Sequence, residues 1–237
     1  MLIVSIPKSA STSLMDTFGK LHALPTRQLE LEGHVTPKDY QSMSLIHPDT
    51  KSLSVEDVAY FSQADFLYKQ HIVPTDENVQ KLKALKKVVL LRNPYDIILA
   101  YRRGTLKGIH GKKIDFDKSE SEGEWLEKAD KSGLLLELKN FESAWRDAAD
   151  EHTLLIEYQE LMKEPQKNIN RIEQFWNLPI TSKPIKLSKK RYSHHSPIKQ
   201  TIAKTRKQGM RWIIKHGYYE RAKRFHNYLR ANGVKWI

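Results

Sequence analysis

The sequence predicts a three-layer α/β fold, in which helices cover both faces of a central, mainly parallel sheet. Three short apolar runs, at residues 2–6, 88–91 and 153–156, are typical of buried strands. Each run leads into small or polar residues and then into a helical pattern. This alternation of strands and helices indicates a parallel sheet, whose ligands bind at the carboxyl ends of the strands.

The first element is a strand, a loop and a helix start, which together are typical of a phosphate-binding site. Lys8 leads the loop, hydroxyls follow at Ser9, Ser11 and Thr12, and the helical pattern begins at Leu14. Free backbone N–H groups and the helix dipole attract an anion, and a lysine adds full charge. The loop has no glycine and its lysine comes first, so it is not a Walker A loop. A plain helix cap rich in Ser and Thr is the alternative.

The next elements are two helix starts and a second strand. Residues 36–39 and 54–57 carry helix-capping patterns. Residues 65–74 are predicted to form a strand that enters a loop, and they contain Lys69 and His71. A lone histidine is more often structural than catalytic, and both interpretations stand at this point.

The strand at residues 88–91 runs into another helix. Asn93 is a candidate cap, Pro94 suits the first helical position, and Asp96 suits the capping-box position. Arg92 then stands at the carboxyl end of a parallel strand, where such sheets bind ligands. A surface salt bridge is the alternative role for Arg92.

The remaining chain alternates regular and irregular stretches. Residues 104–133 hold five of the ten glycines and a run of mixed charge. We expect a mobile excursion there, either a disordered loop or a lid over a substrate. Apolar residues at helical spacing predict a helix over 134–148, and Pro165 opens another. Tyr158 follows the strand at 153–156.

Length and composition fit one soluble domain over residues 1–237. The chain has no cysteine, which excludes disulfides and thiolate metal sites. No apolar run is long enough to predict a membrane span, and no signal peptide is recognisable, so we expect a cytoplasmic protein.

The net charge of +12 is concentrated near the end of the sequence. Residues 181–237 hold 16 of the 40 Lys and Arg residues and one acid, Glu220, which gives this segment +15 and the rest −3. A solvated basic face is the ordinary interpretation. The charge also suits an anionic cofactor, and its excess suits an anionic polymer, a membrane surface or nucleic acid.

Four motifs, in order, resemble the cytosolic-type sulfotransferases, which use 3′-phosphoadenylyl sulfate (PAPS). Residues 7–12 resemble that family's Pro-Lys-Ser/Thr-Gly-Thr-Thr loop, and residues 69–74 its Lys-Thr-His-Leu-Pro segment. Residues 92–96 resemble its Arg-Asn-Pro-x-Asp motif, and residues 155–161 its strand-end segment with a tyrosine beside the adenine. Residues 204–212 are similar, more loosely, to its Arg-Lys-Gly-x-x-Gly-Asp-Trp motif.

The resemblance implies a role for each matching residue. His71 would be the general base, Lys8 would neutralise the leaving phosphate oxygen, and Lys69 would assist it. The remaining cofactor contacts implied are the 5′-phosphosulfate loop Lys8, Ser9, Ala10, Ser11, Thr12 and Ser13, the 3′-phosphate positions Arg92, Ala100, Arg206 and Lys207, and the adenine neighbour Tyr158. No metal is required by this scheme.

Three positions depart from the family pattern. Ala10 replaces a loop glycine, which is costly if the position needs a positive φ. Ser13 stands where many members have an adenine-stacking tryptophan. Ala100 stands where the family has a serine that contacts the 3′-phosphate, and Arg102 or Arg103 is a candidate to compensate.

We therefore predict a PAPS-dependent sulfotransferase with PAP as the desulfated product. The acceptor is a hydroxyl or an amine on a small molecule, lipid, sugar or peptide. Two alternatives stand beside it. One is an NTP-dependent P-loop kinase, against which the missing Walker A loop argues. The other is a non-catalytic module that binds nucleic acid or another anionic polymer through the basic segment.

Overall fold

The computed structural model describes residues 1–27, 53–62, 65–106 and 117–187 of the chain. All of these residues lie in one compact unit, Met1–Lys190. The predicted helix start at 36–39 and the basic segment from residue 188 onward lie outside the described residues. The single domain over residues 1–237 therefore stays a prediction.

The described strands form one sheet in which every neighbouring pair is parallel. The spatial order is β2-β3-β1-β4-β5, so β1 lies in the middle. The strands are β1 (Leu2–Ser5), β2 (Thr26–Arg27), β3 (Leu67–Gln70), β4 (Lys87–Leu91) and β5 (Thr153–Glu157). The parallel sheet that the sequence predicts is confirmed.

Eight helices of the described residues cover both faces of this sheet. They are α1 (Ser11–Leu21), α2 (Val55–Phe61), α3 (Asp76–Leu82), α4 (Pro94–Leu106), α5 (Glu122–Lys131), α6 (Leu134–Asp147), α7 (Tyr158–Lys163) and α8 (Pro165–Phe175). None of them is long and apolar enough to cross a membrane.

The core divides into two clusters, one on each face of the sheet. Leu2 and Val4 of β1 point to a cluster shared with α2 to α6, whereas Ile3 points to a cluster shared with α1, α7 and α8. This alternation is the period of two that a strand imposes. Because both faces of the sheet are buried, the sequences of β1 and β4 contain continuous apolar runs. Helices cover both faces, so the three-layer prediction is confirmed.

Local capping residues explain where several helices begin. Ser54 and Asp57 form a capping box at the start of α2, as the sequence predicts. Asn93 precedes α4, and its side chain accepts a hydrogen bond from the backbone N–H of Tyr95 at 2.9 Å. Pro165 occupies the first turn of α8, where its missing N–H costs nothing.

The predicted excursion at residues 104–133 contains more regular structure than expected. The helix α4 continues to Leu106, and α5 is complete, with Trp125 fully buried. A capping box of Ser121 and Glu124 starts α5. The indole N–H of Trp125 donates to the carbonyl of Asp117 at 3.0 Å. The disordered-loop interpretation is therefore wrong for 117–133, and residues 107–116 lie outside the described part.

The amino edge of the sheet contains a buried lysine. Lys87 begins β4 and is 2% exposed. Its Nζ lies 3.1 Å from the carbonyl oxygen of Leu82, at the end of α3, and 3.9 Å from Asp150 Oδ1. Burial lowers the pKa of Lys87, and the Asp150 carboxylate opposes that shift. Helix carbonyls and a carboxylate are the usual compensation for a buried cation.

Candidate functional site

The sheet register brings the predicted site residues to one edge. In the parallel ladders Ser5 pairs with Leu90, and Leu91 pairs with Glu157. The chain segments that follow β1, β3, β4 and β5 therefore leave the sheet at the same, carboxyl edge. They carry Lys8, His71, Arg92 and Tyr158 respectively.

The loop between β1 and α1 has the geometry of an anion site. The helix begins at Ser11, and the amide of Leu14 is the one that donates to the carbonyl of Ala10, at 3.0 Å. The amides of Ser11, Thr12 and Ser13 thus precede the α-helical ladder. These amides and the positive end of the helix dipole favour a bound anion.

Two residues of this loop adopt left-handed backbone conformations. Lys8 has φ 71° and Ala10 has φ 66°. The sequence analysis identified Ala10 as the replacement of a glycine, and the position does require a positive φ. An L-residue pays about 1–2 kcal/mol for this conformation, so the loop keeps its shape at a cost.

Ser9 supports the loop through its side chain. It is fully buried, and its hydroxyl donates to the carbonyl oxygen of Ile6 at 2.7 Å. This bond braces the turn that the left-handed residues make. Contacts from the hydroxyls of Ser9, Ser11, Thr12 and Ser13 to a phosphosulfate stay predictions.

Arg92 connects the end of β4 to the phosphate loop. It is 8% exposed, and its NH1 group donates to the carbonyl of Lys8 at 2.5 Å. Its guanidinium carbon lies 3.8 Å from the centroid of the Tyr158 ring. Its Nε is buried and has no hydrogen-bond partner within the described residues. A buried N–H donor of this kind is costly to leave unsatisfied, which points to an acceptor supplied by a ligand.

The side chains of Lys8 and Arg92 bring two positive charges close together in a partly buried environment. Burial and, next, the charge of Arg92 lower the pKa of Lys8 to about 8. The Nζ of Lys8 lies 5.1 Å from the ring centroid of Tyr101 on α4. Bound phosphate groups would relieve the repulsion between the two cations.

The hydrogen bonds of His71 determine which ring nitrogen is available as a base. Its Nδ1 lies 2.7 Å from the carbonyl oxygen of Ser5 and 3.1 Å from the hydroxyl of that residue. A carbonyl only accepts, so Nδ1 carries the proton and donates to it. The Nε2 atom of the neutral ring is then an acceptor, and Lys69 Nζ lies 3.4 Å from it. This tautomer is the one that a general base at Nε2 requires.

The helix α4 carries both arginines proposed to compensate for Ala100. Arg102 donates through Nε and NH2 to the carbonyl of Glu120, at 3.3 and 2.9 Å, and so holds the segment before α5. Arg103 is exposed, and its charge contributes to lowering the pKa of Arg92. Compensation for Ala100 by Arg103 stays a prediction. Arg206 and Lys207 lie outside the described residues.

Sequence reasoning missed two residues of this site. Ser5 is the last residue of β1, and no sequence pattern shows that its carbonyl meets a histidine 66 residues away. Tyr101 follows Ile97 at helical spacing and therefore looks like an ordinary core residue. The adjacency of Tyr158 and Arg92 was equally hidden, although both follow predicted strands.

One possible metal-ligand group occurs in the described residues, away from this site. The side chains of Asp150, Glu151 and His152 offer ligand atoms within 4.8 Å of one another. They precede β5 at the amino edge of the sheet. Exposed acidic groups of this kind are common without a metal, and the absence of a metal requirement stays a prediction.

Comparisons with known proteins agree with the fold and with the family resemblance. A family model described as a sulfotransferase domain matches residues 1–225. The structure of mouse sulfotransferase SULT7A1 complexed with PAP aligns with a TM-score of 0.53 and 15% identity, over 77% of this chain and 59% of that one. The chain thus spans about three fifths of that relative's length.

Two further structures align less well. A sulfotransferase from Alicyclobacillus acidocaldarius gives a TM-score of 0.48 and 14% identity, over 79% of this chain and 85% of that one. Retinol dehydratase in complex with androsterone and inactive cofactor PAP gives 0.49 and 17%, over 76% and 60%. The comparison with curated proteins found no match.

Proposed function

The chain belongs to the sulfotransferase domain family, and on that premise we propose that it transfers a sulfuryl group from PAPS to an acceptor hydroxyl or amine. The observation that carries the proposal is the buried Nε donor of Arg92, which lacks a partner among the described residues and lies beside Lys8 and the phosphate loop. Two cations and a helix N-terminus are suited to the several phosphate and sulfate groups of this nucleotide.

Each residue of the carboxyl edge takes a role in this reaction. The Nε2 of His71 accepts the proton of the acceptor as the acceptor oxygen or nitrogen forms a bond to sulfur. The bond between sulfur and the bridging phosphate oxygen breaks, and Lys8 stabilises the charge that develops on that oxygen. Lys69, whose Nζ lies 3.4 Å from His71 Nε2 before the acceptor binds, assists Lys8 in neutralising this charge. The amides of residues 11–13 hold the 5′-phosphosulfate.

The 3′-phosphate and the adenine would bind at the ends of the neighbouring strands β4 and β5. Arg92 binds the 3′-phosphate, and Arg103 supplies a second positive charge in place of the serine that Ala100 replaces. Tyr158 holds the Arg92 guanidinium on one face and offers its edge or other face to the adenine. Arg206 and Lys207 are proposed to complete the 3′-phosphate contacts, as the resemblance implies.

The finer features of the proposal rest on the sequence. We propose a cytoplasmic location and an acceptor held by residues 22–62 and 104–133. The basic segment at 181–237, with a net charge of +15, is proposed to attract the nucleotide or an anionic acceptor or surface.

A thermal-shift comparison of nucleotides tests the proposal directly. PAP should stabilise the protein more than AMP does, because only PAP carries a 3′-phosphate for Arg92. At 100 times its dissociation constant a ligand adds about 2.7 kcal/mol to the free energy of unfolding. Equal shifts with PAP and AMP would contradict the 3′-phosphate assignment. A large shift with ATP and magnesium but none with PAP would favour a kinase.

A rescue experiment separates the two principal cations. Arg92→Ala should lose mainly nucleotide affinity, because the 3′-phosphate is remote from the transferred group. Lys8→Ala should lose turnover as well, because its charge acts in the transition state. Saturating PAPS should therefore restore turnover of the Arg92 variant and leave the Lys8 variant slow.

A further inference from the structure

Lys8 is held at both ends by other residues of the site. Its carbonyl accepts a hydrogen bond from Arg92, which fixes the left-handed backbone at φ 71°. Its Nζ lies over the ring of Tyr101, at 5.1 Å from the ring centroid. This distance is within the roughly 6 Å at which an ammonium group is attracted to an aromatic face. The ring is itself 8% exposed and belongs to the same core cluster as Ile97 and Ile98 of α4.

The surroundings of Lys8 disfavour its charge. Burial and the neighbouring guanidinium of Arg92 both lower the pKa of Lys8. Around that guanidinium, Tyr158 and Asp96 favour its charge, while Arg103 disfavours it. An aromatic face is therefore a fitting partner for the ammonium, because it attracts the cation without cancelling its charge. A carboxylate in the same place would neutralise Lys8 and repel an anionic ligand.

We propose that Tyr101 is a positioning residue for Lys8, whose ring holds the ammonium protonated and aimed at the phosphate loop before an anion binds. The role of Lys8 in handling the phosphosulfate rests on the proposed function, whereas the contact between ring and ammonium does not. An experiment can therefore contradict the phosphosulfate role of Lys8 and still support its contact with the ring, or the reverse. The ring of Tyr101 holds the side chain of Lys8 against α4, whereas the backbone of Lys8 is part of the phosphate loop.

The pH dependence of lysine acetylation tests this positioning on the whole protein. Only the unprotonated amine reacts, and mass spectrometry resolves each lysine. In the wild type the reaction at Lys8 should rise around pH 8. In Tyr101→Leu the rise should move to lower pH, with about fivefold faster reaction at neutral pH, the factor that corresponds to roughly 1 kcal/mol of lost cation–π attraction.

Matched variants separate the ring's attraction from mere shielding. Tyr101→Phe keeps the aromatic face and should keep the wild-type pH profile at Lys8. Tyr95→Leu removes another tyrosine of α4, whose ring lies 5.4 Å from Lys139 Nζ, and should leave Lys8 unchanged. Buried Lys87 reports on folding, because it becomes reactive only in an unfolded chain. If Tyr101→Leu does not fold, a ring-fluorinated phenylalanine at position 101 keeps the shape and weakens the aromatic face.

The outcomes are distinct. A faster plateau reaction at Lys8 in Tyr101→Leu, with an unmoved pH midpoint, would mean that the ring only shields the amine, and would overturn the proposal. The same wild-type profile in Tyr101→Leu or in the fluorinated protein would also overturn it. If the wild type binds no PAP but Tyr101→Leu still moves the pH midpoint at Lys8 as predicted, the proposed function is contradicted and the positioning role of Tyr101 stands.

Discussion

The two edges of the sheet each contain a buried cation, and they treat it in opposite ways. At the amino edge, Lys87 meets the carbonyl of Leu82 at the end of α3, the carbonyl of Leu85 just after it and the carboxylate of Asp150. At the carboxyl edge, Arg92 meets a second cation, Lys8, and keeps a buried N–H donor with no acceptor within the described residues. A compensated cation stabilises the fold, whereas two cations close together store repulsion that an anionic ligand releases.

The contrast implies that substitutions at the two edges should change different observables. Changes at the amino edge should lower stability and leave nucleotide binding alone. Changes at the carboxyl edge should alter binding or turnover and alter stability less, because sites for ligands are built at the expense of the apo protein.

The largest effect should come from His71→Ala. Removal of the proton acceptor should slow sulfuryl transfer by about 10²–10⁴-fold, the usual loss for a general base. PAP affinity should stay near the wild-type value, because the imidazole would face the acceptor and not the nucleotide. Single-turnover rates and calorimetric PAP titrations measure the two quantities. A variant with near wild-type turnover would remove His71 from the mechanism.

The comparison itself is tested by a matched pair, Arg92→Met and Lys87→Met. The Arg92 variant should bind PAP about 10–150-fold more weakly, which corresponds to the roughly 1.5–3 kcal/mol of a charge-assisted hydrogen bond. The Lys87 variant should lose about 1–3 kcal/mol of unfolding free energy, because helix carbonyls and Asp150 are left without their cation. Denaturant titration and PAP calorimetry should be carried out on both proteins, so that stability and PAP affinity are known for each variant. Weaker PAP binding by the folded Lys87 variant would contradict the proposed difference between the two edges.

The pH dependence of PAP binding should reveal the stored repulsion. The pKa of Lys8 is lowered to about 8 in the protein alone, and the bound phosphates should raise it. Binding should therefore take up a proton near that pH. The affinity should be flat below pH 8 and fall by up to about tenfold per pH unit above it. Calorimetry in buffers of different ionisation enthalpy measures the proton uptake.

Lys8→Arg is the control for that measurement, since an arginine stays charged throughout this range. Its PAP affinity, whatever its value, should not depend on pH through Lys8. A pH dependence that persists unchanged in this variant would assign the effect to another group.

The smallest effect should come from the backbone of the phosphate loop. Ala10→Gly should raise the unfolding free energy by about 0.5–1 kcal/mol, because glycine adopts a φ of 66° without strain but loses more freedom on folding. Gly133→Ala is the reverse control: this glycine has φ 78° with open space around its Cβ position, so the cost should be purely conformational. Thermal melts of both variants should shift by a few degrees in opposite directions.

The sequence predicted the sheet well where strands are buried on both faces. Continuous apolar runs mark β1 and β4, since burial on both faces removes the usual alternation. The strand β5 was recognised from a similar run, although most of its residues are only partly buried. The strand β2 has two residues and no such run, and its place at the edge of the sheet depends on its pairing with β3. The helix α5 was missed because the glycines nearby suggested a loop. Its Ser121–Glu124 capping box and the spacing of Trp125 and Ala129 were the signals available.

Most members of the candidate site were predictable from the sequence, but Ser5, Tyr101 and the contacts between the members were not. Motifs at strand ends were enough to select Lys8, Lys69, His71, Arg92 and Tyr158. The tautomer of His71 depends on a backbone carbonyl, and the ring beside Lys8 comes from a residue that looks like core. Such contacts join residues distant in sequence, and no local pattern encodes them.

The central place of β1 has a consequence for how the chain folds. Contacts of the site link Ser5 to His71 across 66 residues and Lys8 to Arg92 across 84. Long closures of this kind slow folding, because chain entropy is lost before the contacts form. The phosphate loop therefore cannot mature as an independent hairpin or turn. It forms only when β3 and β4 pack on either side of β1, and a nascent chain therefore completes its phosphate loop only after the fourth strand has been synthesised.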